Sequence, residues 1–187
     1  MGQLTLEAII EALFFASRRS LSIKELRKIL PEHEVYAIKE ALKRLRARYA
    51  LQQGGIEIVE VAGGYRVQTR SELAPFIKRL RKVTPVRLSK AALETLAIVA
   101  YKQPVTRAEI EALRGVDASS SLRMLLEHKL VRIAGKKDVP GRPLLYATTT
   151  HFLEFFQLKD LSSLPEPKDL PDEPEQQPLF TNNSNKS

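Results

Sequence analysis

The residue types that most often carry chemistry are sparse and scattered in this chain of 187 residues. It has no cysteine, and its three histidines, His33, His128 and His151, are far apart and belong to no HxxxH, HExxH or CxxC pattern. Such patterns bring two metal ligands close together on one helix or turn. The sequence therefore predicts no disulfide framework and no bound metal.

Motifs of common enzyme classes are missing as well. No GxSxG, Walker A loop or GxGxxG occurs anywhere in the sequence. Ser119, Ser120 and Ser121 stand where a helix is expected to begin, and a hydroxyl at such a position caps the helix. The carboxylates lie on amphipathic helical segments, where solvation accounts for them. We expect a non-enzymatic protein without a cofactor or a small-molecule substrate.

The charge is strongly basic and unevenly distributed. The formal net charge is +8, and five acids against two lysines after Leu161 give that last stretch −3, so the preceding 161 residues carry +11. A basic balance favours nucleic acid as a partner, but it also keeps a small domain soluble. No apolar run approaches the length of a membrane span, and the first helix carries Glu7 and Glu11, unlike a signal peptide. We expect a soluble, cytoplasmic protein.

Two stretches share one pattern of helix-start signals. Ser22 and Glu25 have the spacing of a capping box, and so have Thr106 and Glu109, which lie 84 positions later. Each stretch is followed by a segment with helical spacing and then by two alternating segments around a turn rich in glycine or proline. The sequence therefore predicts a mainly α fold with small β wings (α+β), built from tandem winged helix-turn-helix domains.

The boundaries follow from these signals. We predict a first winged helix over 1–70, a connecting helix and linker over 71–87, a second winged helix over 88–161 and a disordered polar tail over 162–187. Gly63 and Gly64 are expected as a two-residue hairpin turn. Ser71 is expected to cap the connecting helix, and Asp117 or Ser119 the third helix of the second unit.

Two binding functions compete at this point. In the first, a winged helix contacts DNA through Lys39, Lys43 and Arg46 of the first unit. Because no Asn or Gln suited to adenine accompanies these cations, weak and salt-sensitive contact is expected rather than the sequence readout of a transcriptional regulator. In the second, both units bind protein. The segment from Leu93 to Tyr101, which includes Ile98 and Val99, is apolar on nearly every side and must be covered on more than one side, by its own domain or by a partner helix.

Two segments resemble one bacterial family closely. AYKQPVTRAEIEALRGV, from Ala100 to Val116, and PGRPLLYATTTHFLEFFQL, from Pro140 to Leu158, are similar to the segregation and condensation proteins of the ScpB type. The resemblance extends from about Leu4 to Leu161. It implies a homodimeric subunit of the SMC condensin complex, associated with the nucleoid, that binds the kleisin ScpA and acts in chromosome condensation and segregation during cell division. It also implies that dimers form through the first unit.

The family motif is matched at individual positions. They are Tyr101, Gln103, Pro104, Thr106, Glu109, Arg114, Gly115, Gly141, Arg142, Pro143, Tyr146 and Thr148. Caps and turns explain several of them. Tyr101, Arg142 and Tyr146 are harder to explain in that way, because amphipathic rings and guanidinium groups are typical interface anchors. Together with Ile98 and Val99 they are the residues predicted to bind the kleisin or to dock the chain on itself.

Overall fold

The computed structural model of the chain describes residues 4–51, 54–81 and 87–166. Within these ranges it holds eight α-helices and two small antiparallel sheets, so the expected combination of helices with short strands is confirmed. The predicted linker except for Arg87, and the predicted tail beyond Glu166, lie outside the described residues.

The first unit consists of three helices and a hairpin. They are α1 (Leu6–Ala16), α2 (Ile23–Ile29), α3 (Val35–Leu51), β1 (Ile56–Val61) and β2 (Gly64–Thr69). The Thr5 side chain accepts a hydrogen bond from the backbone of Ala8, and Ser22 and Glu25 form the expected reciprocal capping box. These caps fix where α1 and α2 begin. Apolar faces of all three helices then meet in one core around the fully buried Ile10, Leu26 and Ile38.

The hairpin turn differs by one residue from the expectation. Val61 pairs with Gly64, so the two turn residues are Ala62 and Gly63, with φ of 52° and 69°. Gly64 is the first residue of β2, and a Cβ added to it would come within 2.7 Å of the carbonyl carbon of Leu21. Glycine is therefore required there by a close approach of two backbones rather than by the turn.

The connecting segment begins with a short 3-10 turn, Ser71–Leu73, and continues as α4 (Ala74–Arg81). The expected cap at Ser71 is wrong, since the chain reaches α4 through this turn and Arg70 precedes it without a side-chain cap bond. Phe76 and Leu80 on α4 are 63% and 79% exposed. The described chain thus leaves these two apolar side chains of α4 uncovered, while Ile77 is half-buried.

The second unit repeats the same order and adds a short strand and a closing helix. Its elements are α5 (Lys90–Lys102), β3 (Val105–Thr106), α6 (Arg107–Arg114), α7 (Ser119–Glu127), β4 (Val131–Lys136), β5 (Leu144–Thr148) and α8 (Thr150–Phe155). The strands form an antiparallel sheet in the order β3-β5-β4. Ser89, Thr106 and Thr149 cap α5, α6 and α8 through their side chains.

Helix α7 begins differently from the expectation. Ala118 occupies the capping position, and no side chain there bonds the helix. The Asp117 carboxylate instead accepts hydrogen bonds from the backbone and the hydroxyl of Ser119. Asp117 thus organises the turn before α7 from one position earlier, and both residues named by the sequence take part in it.

The internal repeat is visible in the pairing of strands. Leu21, just before the first capping box, pairs antiparallel with Tyr65, and Val105, just before the second, pairs with Tyr146. In both units the second strand of the hairpin therefore ties back to the start of the second helix. The two capping boxes are local signals of one shared arrangement.

The units touch through the turn of the first hairpin. The amides of Ala62 and Gly63 donate to the carbonyls of Leu158 and Lys159 at 2.9 and 2.8 Å. The buried Ser20 donates to Glu154 Oε1 from its backbone and its hydroxyl, at 3.2 and 3.1 Å. These bonds connect α8 and the residues after it to the first unit.

Candidate protein-interaction site

The described residues cover one side of helix α5. Ala92, Thr95, Leu96, Val99 and Ala100 are buried in the second core. Leu93 is 43% exposed on the other side of the helix, beside the exposed Glu94 and Ala97. The described chain thus supplies one of the expected covers of α5. Coverage of the other side by a partner helix stays a prediction.

The predicted residues Ile98 and Val99 occupy different environments. Val99 is 0% exposed and belongs to the core that includes Ile110 and Leu125. Ile98 is half-buried and packs at the margin of the same core. Val99 cannot reach a partner without a rearrangement of this core, whereas Ile98 presents part of its side chain at the surface.

Tyr101, at the end of α5, contacts a distant part of its own chain. Its hydroxyl donates to the carbonyl of Pro165 at 2.5 Å. Leu164 packs against the second core, after the 3-10 turn Leu161–Ser163. The packed chain therefore extends past the expected boundary at 161, because Leu164 and Pro165 make contacts that the composition of this segment did not predict.

The two predicted residues of the second hairpin are also separated. Tyr146 is 8% exposed in the middle strand β5, opposite Val105 on one side and Ile133 on the other. Arg142 is exposed in the turn between β4 and β5, with φ of 40°, and its amide donates to the carbonyl of Val139. Tyr146 thus fills the core, while the guanidinium of Arg142 faces solvent.

Gln103 plays a structural role that the sequence did not reveal. Its Oε1 accepts hydrogen bonds from the amide of Thr148 at 2.8 Å and from the hydroxyl of the same residue at 3.0 Å. Its Nε2 donates to the carbonyl of Ala100 at 3.1 Å. One amide side chain therefore joins the end of α5 to the end of β5. The available signal was a Gln between a helix end and a proline in the matched motif.

Arg114 is a second motif residue whose structural role was not predicted from the sequence. Its side chain is only 5% exposed, and it donates to the carbonyl of Asp117 at 3.0 Å. It also contacts the Glu94 carboxylate on α5 at 3.4 Å. The guanidinium thus holds the turn before α7 against α5, which is a packing role rather than an exposed anchor.

The turn of the second hairpin is tied to α6 by charge. Lys137 Nζ lies 2.5 Å from Glu109 Oε1, while Glu109 Oε2 accepts from the backbone and hydroxyl of Thr106. The hydrogen bond from Lys137, followed by those from Thr106, lowers the pKa of Glu109 to about 2. A residue read as a helix cap therefore also positions the exposed hairpin near Arg142.

The basic residues of α3 fall into two groups. Arg44 and Arg48 pair with Glu7 and Glu11 of α1 at 2.6 and 2.7 Å. Lys39, Lys43 and Arg46, which the sequence assigned to DNA contact, are exposed on another side of the helix.

Residues 4–51, 54–81 and 87–166 contain neither a group of metal ligands nor a membrane-spanning helix. No three His, Cys, Asp or Glu side chains in these ranges are grouped so that they could hold a metal ion. No helix in the same ranges is long and apolar enough to cross a membrane.

Comparison with known proteins gives a consistent result. Residues 8–167 match the family model described as Segregation and condensation complex subunit ScpB. Segregation and condensation protein B of Syntrophotalea carbinolica is 48% identical over 165 residues, which cover 88% of this chain and 83% of that protein. The protein of the same name from Desulforamulus reducens is 44% identical over 85% of this chain and 87% of its own length. A solved dimer of a ScpB N-terminal domain complexed with ScpA peptide is 32% identical, with a TM-score of 0.37, and covers 40% of this chain and 91% of that chain.

Proposed function

Because this chain belongs to the ScpB family of segregation and condensation complex subunits, we propose that it is a non-enzymatic subunit of an SMC–kleisin complex. In this role it binds ScpA, and through it SMC, and supports chromosome condensation and segregation during cell division. The observation that carries the proposal is the family match over residues 8–167, which spans both units. The protein acts in the cytoplasm, at the nucleoid.

The proposed architecture assigns a task to each unit. Both units are winged helix-turn-helix domains, with residues 1–70 forming the homodimer and residues from 88 onward binding the kleisin, joined by 71–87. Three helices followed by an antiparallel hairpin in each unit support the winged-helix assignment. The second domain is extended to Pro165, because Leu164 packs on its core.

The proposed kleisin-binding residues are the predicted ones that reach the surface. Ile98 and Tyr101 are half-buried on α5, and Arg142 is exposed in the turn of the second hairpin. Val99 and Tyr146 support this face from the core, since both are buried. Half-buried aromatic and aliphatic side chains with an exposed guanidinium are frequent anchors of protein interfaces.

The test uses light scattering on a sizing column, with the full chain alone and with a central ScpA fragment as the probe. We expect a homodimer that takes up the fragment. Ile98→Asp should weaken uptake at least tenfold. Leu113→Asp is the matched control, because Leu113 is 60% exposed on α6 of the same unit and receives the same charge.

Two outcomes contradict the proposal. A monomer that ignores the fragment removes both the dimer and the kleisin from the assignment. An Ile98→Asp variant that melts and binds like the parent, beside a Leu113→Asp variant that fails to bind, moves the interface to α6. A transcriptional regulator would instead protect one DNA sequence in footprinting. The start of α7, with Asp117, Ala118 and three serines, offers little for such readout.

A further inference from the structure

We propose that one face of α3 binds the phosphate backbone of duplex DNA without reading its sequence. The face consists of Lys39, Lys43 and Arg46, and it is called the cationic face below. The three residues follow one another at spacings of four and three, which places them on one side of the helix. This goes beyond the protein-binding role proposed above, because it concerns a surface of the first unit and a different partner.

The cations of α3 that form ion pairs lie on one side of the helix, and those that form none within the described chain lie on another. Arg44 and Arg48 each pair with a glutamate of α1, so their charge is compensated within the fold. Among the described residues, no carboxylate lies within ion-pair distance of Lys39, Lys43 or Arg46. Glu40 is the only acid of α3, and it pairs with none of the three. The cationic face therefore keeps a field directed at solvent, which attracts an anionic partner.

The cationic face continues towards the second unit. The Arg46 guanidinium lies over the Tyr65 ring at 5.4 Å, which directs it to the first hairpin. Burial raises the pKa of the Tyr65 phenol, and both Arg46 and Lys159 oppose that rise, so both cations stand near this ring. Lys159 comes from the second unit and pairs with Glu60 at 3.3 Å. Because Lys159 is paired, its charge is compensated within the fold, and the cationic face ends at Arg46, beside the hairpin that contacts the second unit.

The dimensions of the cationic face suit a nucleic acid backbone. From Lys39 to Arg46 the helix rises by about 10 Å. One DNA strand presents a phosphate every ~3.4 Å along its axis, so about three phosphates fall within that length. Helix α3 carries no Asn or Gln for base edges. Charge without amide readout predicts non-specific binding, with a Kd of roughly 10⁻⁴ to 10⁻⁶ M at physiological salt.

The experiment is a fluorescence anisotropy titration of a labelled 30-base-pair duplex with the full chain, at salt from 50 to 200 mM. The variant K39Q/K43Q/R46Q is compared with K90Q/K102Q/R132Q. The control removes two lysines and one arginine that are exposed in the second unit. We expect the slope of log K against log salt to fall by about 2.7 in the first variant, at ~0.9 per phosphate contact. At the lowest salt its Kd should rise at least tenfold, against less than twofold for the control.

Folding and partner class are checked in the same series. Thermal melting shows whether Arg46→Gln disturbs the Tyr65 contact, and the double variant K39Q/K43Q leaves that contact in place. In the double variant the slope of log K against log salt should still fall by about 1.8. Unlabelled duplex should displace the probe, while polyglutamate of equal charge should do so poorly.

Three results overturn the proposal. They are absence of binding by the parent at 50 mM salt, an equal loss in the control variant, and equal competition by polyglutamate, which would assign the face to an acidic peptide. Each is measured without ScpA, so failure here is distinct from failure of the kleisin proposal.

Discussion

The phenol of Tyr101 donates a 2.5 Å hydrogen bond to the backbone carbonyl of Pro165 and thereby joins the end of α5 to the segment that follows α8. Leu164, next to it, packs against the second core. A residue that the sequence marked for partner binding or internal docking is therefore docked on its own chain. A kleisin that uses Tyr101 must either displace residues 161–165 or bind beside them.

Two truncations separate the packed part of this segment from the rest. Removing residues 167–187 leaves every described contact in place, so we expect an unchanged melting temperature. Removing 162–187 loses the contact of Leu164 and the Tyr101 hydrogen bond, together worth about 1–3 kcal/mol. That should lower the melting temperature of the second unit by roughly 4–24 °C in scanning calorimetry. Equal melting of the two truncated chains would show that the segment contributes nothing to stability.

Replacing Gly64 by Ala tests the close approach of β2 to the start of α2. The added Cβ would come within 2.7 Å of Leu21 backbone atoms, and no flexible side chain is there to move. Relieving the clash breaks the Leu21–Tyr65 pair, which is held by two 2.9 Å hydrogen bonds. We expect a loss of about 3 kcal/mol or more in urea unfolding.

Gly63→Ala is the matched control for this substitution. Gly63 has φ of 69°, and its added Cβ would meet nothing within 4 Å. Only the cost of the left-handed backbone applies, about 1 kcal/mol. A Gly63 variant as unstable as the Gly64 variant would mean that backbone conformation, and not the close approach, determines the effect.

The contact between the units can be tested at Glu154. Glu154→Ala leaves the buried amide and hydroxyl of Ser20 without their acceptor, at a cost of about 1–3 kcal/mol. If the contact loosens, the amides of Ala62 and Gly63, which donate to Leu158 and Lys159, should exchange hydrogen faster. Mass spectrometry of exchanged peptides reads this directly. Glu127→Ala, which removes an exposed ion pair with Arg123, should leave those amides unchanged. Identical exchange in both variants would contradict the role of Glu154.

Much of the fold was predictable because its signals are local. The capping boxes at Ser22 and Thr106 need only residues three positions apart, and the structure has both. The alternating pattern from Leu144 to Thr148 likewise predicted strand β5. Where the decisive contact was not local, prediction failed. Nothing near Gly64 in the sequence reveals that Leu21 lies against it, so the turn was placed one residue too far.

The candidate site was harder to predict for the same reason. The matched motif includes both Tyr146 and Gln103 and does not distinguish their roles. Only tertiary packing shows that the Tyr146 ring is buried and that the Gln103 side chain links two elements. Val99 was marked for partner binding because its helix is apolar, and its burial follows from α6 and α7, which fold against it. The division of cations on α3 into paired and unpaired groups depends on two glutamates of α1, each 37 residues before its arginine partner.

The capping boxes also predict a dependence of stability on acid. The backbone and hydroxyl of Ser22, with Arg19, lower the pKa of Glu25 to about 2, and Lys137 with Thr106 does the same for Glu109. In the unfolded chain both carboxyl groups titrate near the usual 4.5. Between these values the unfolded state binds more protons, so folding stability is fully present above about pH 4.5 and is lost as the pH falls towards 2.

The variant E25Q/E109Q tests whether the two carboxylates cause this loss of stability at low pH. Its side chains keep the geometry of a capping box but carry no charge, so its melting temperature should be lower than that of the parent at pH 7. Between pH 4.5 and 2 the melting temperature of the variant should fall less steeply than that of the parent. The two melting curves should approach each other near pH 2. The control E72Q/E127Q removes the same charge from exposed positions without touching a cap, and its curve should run parallel to that of the parent. If the two double variants behave alike across this range, the acid dependence comes from net charge and not from the capping boxes.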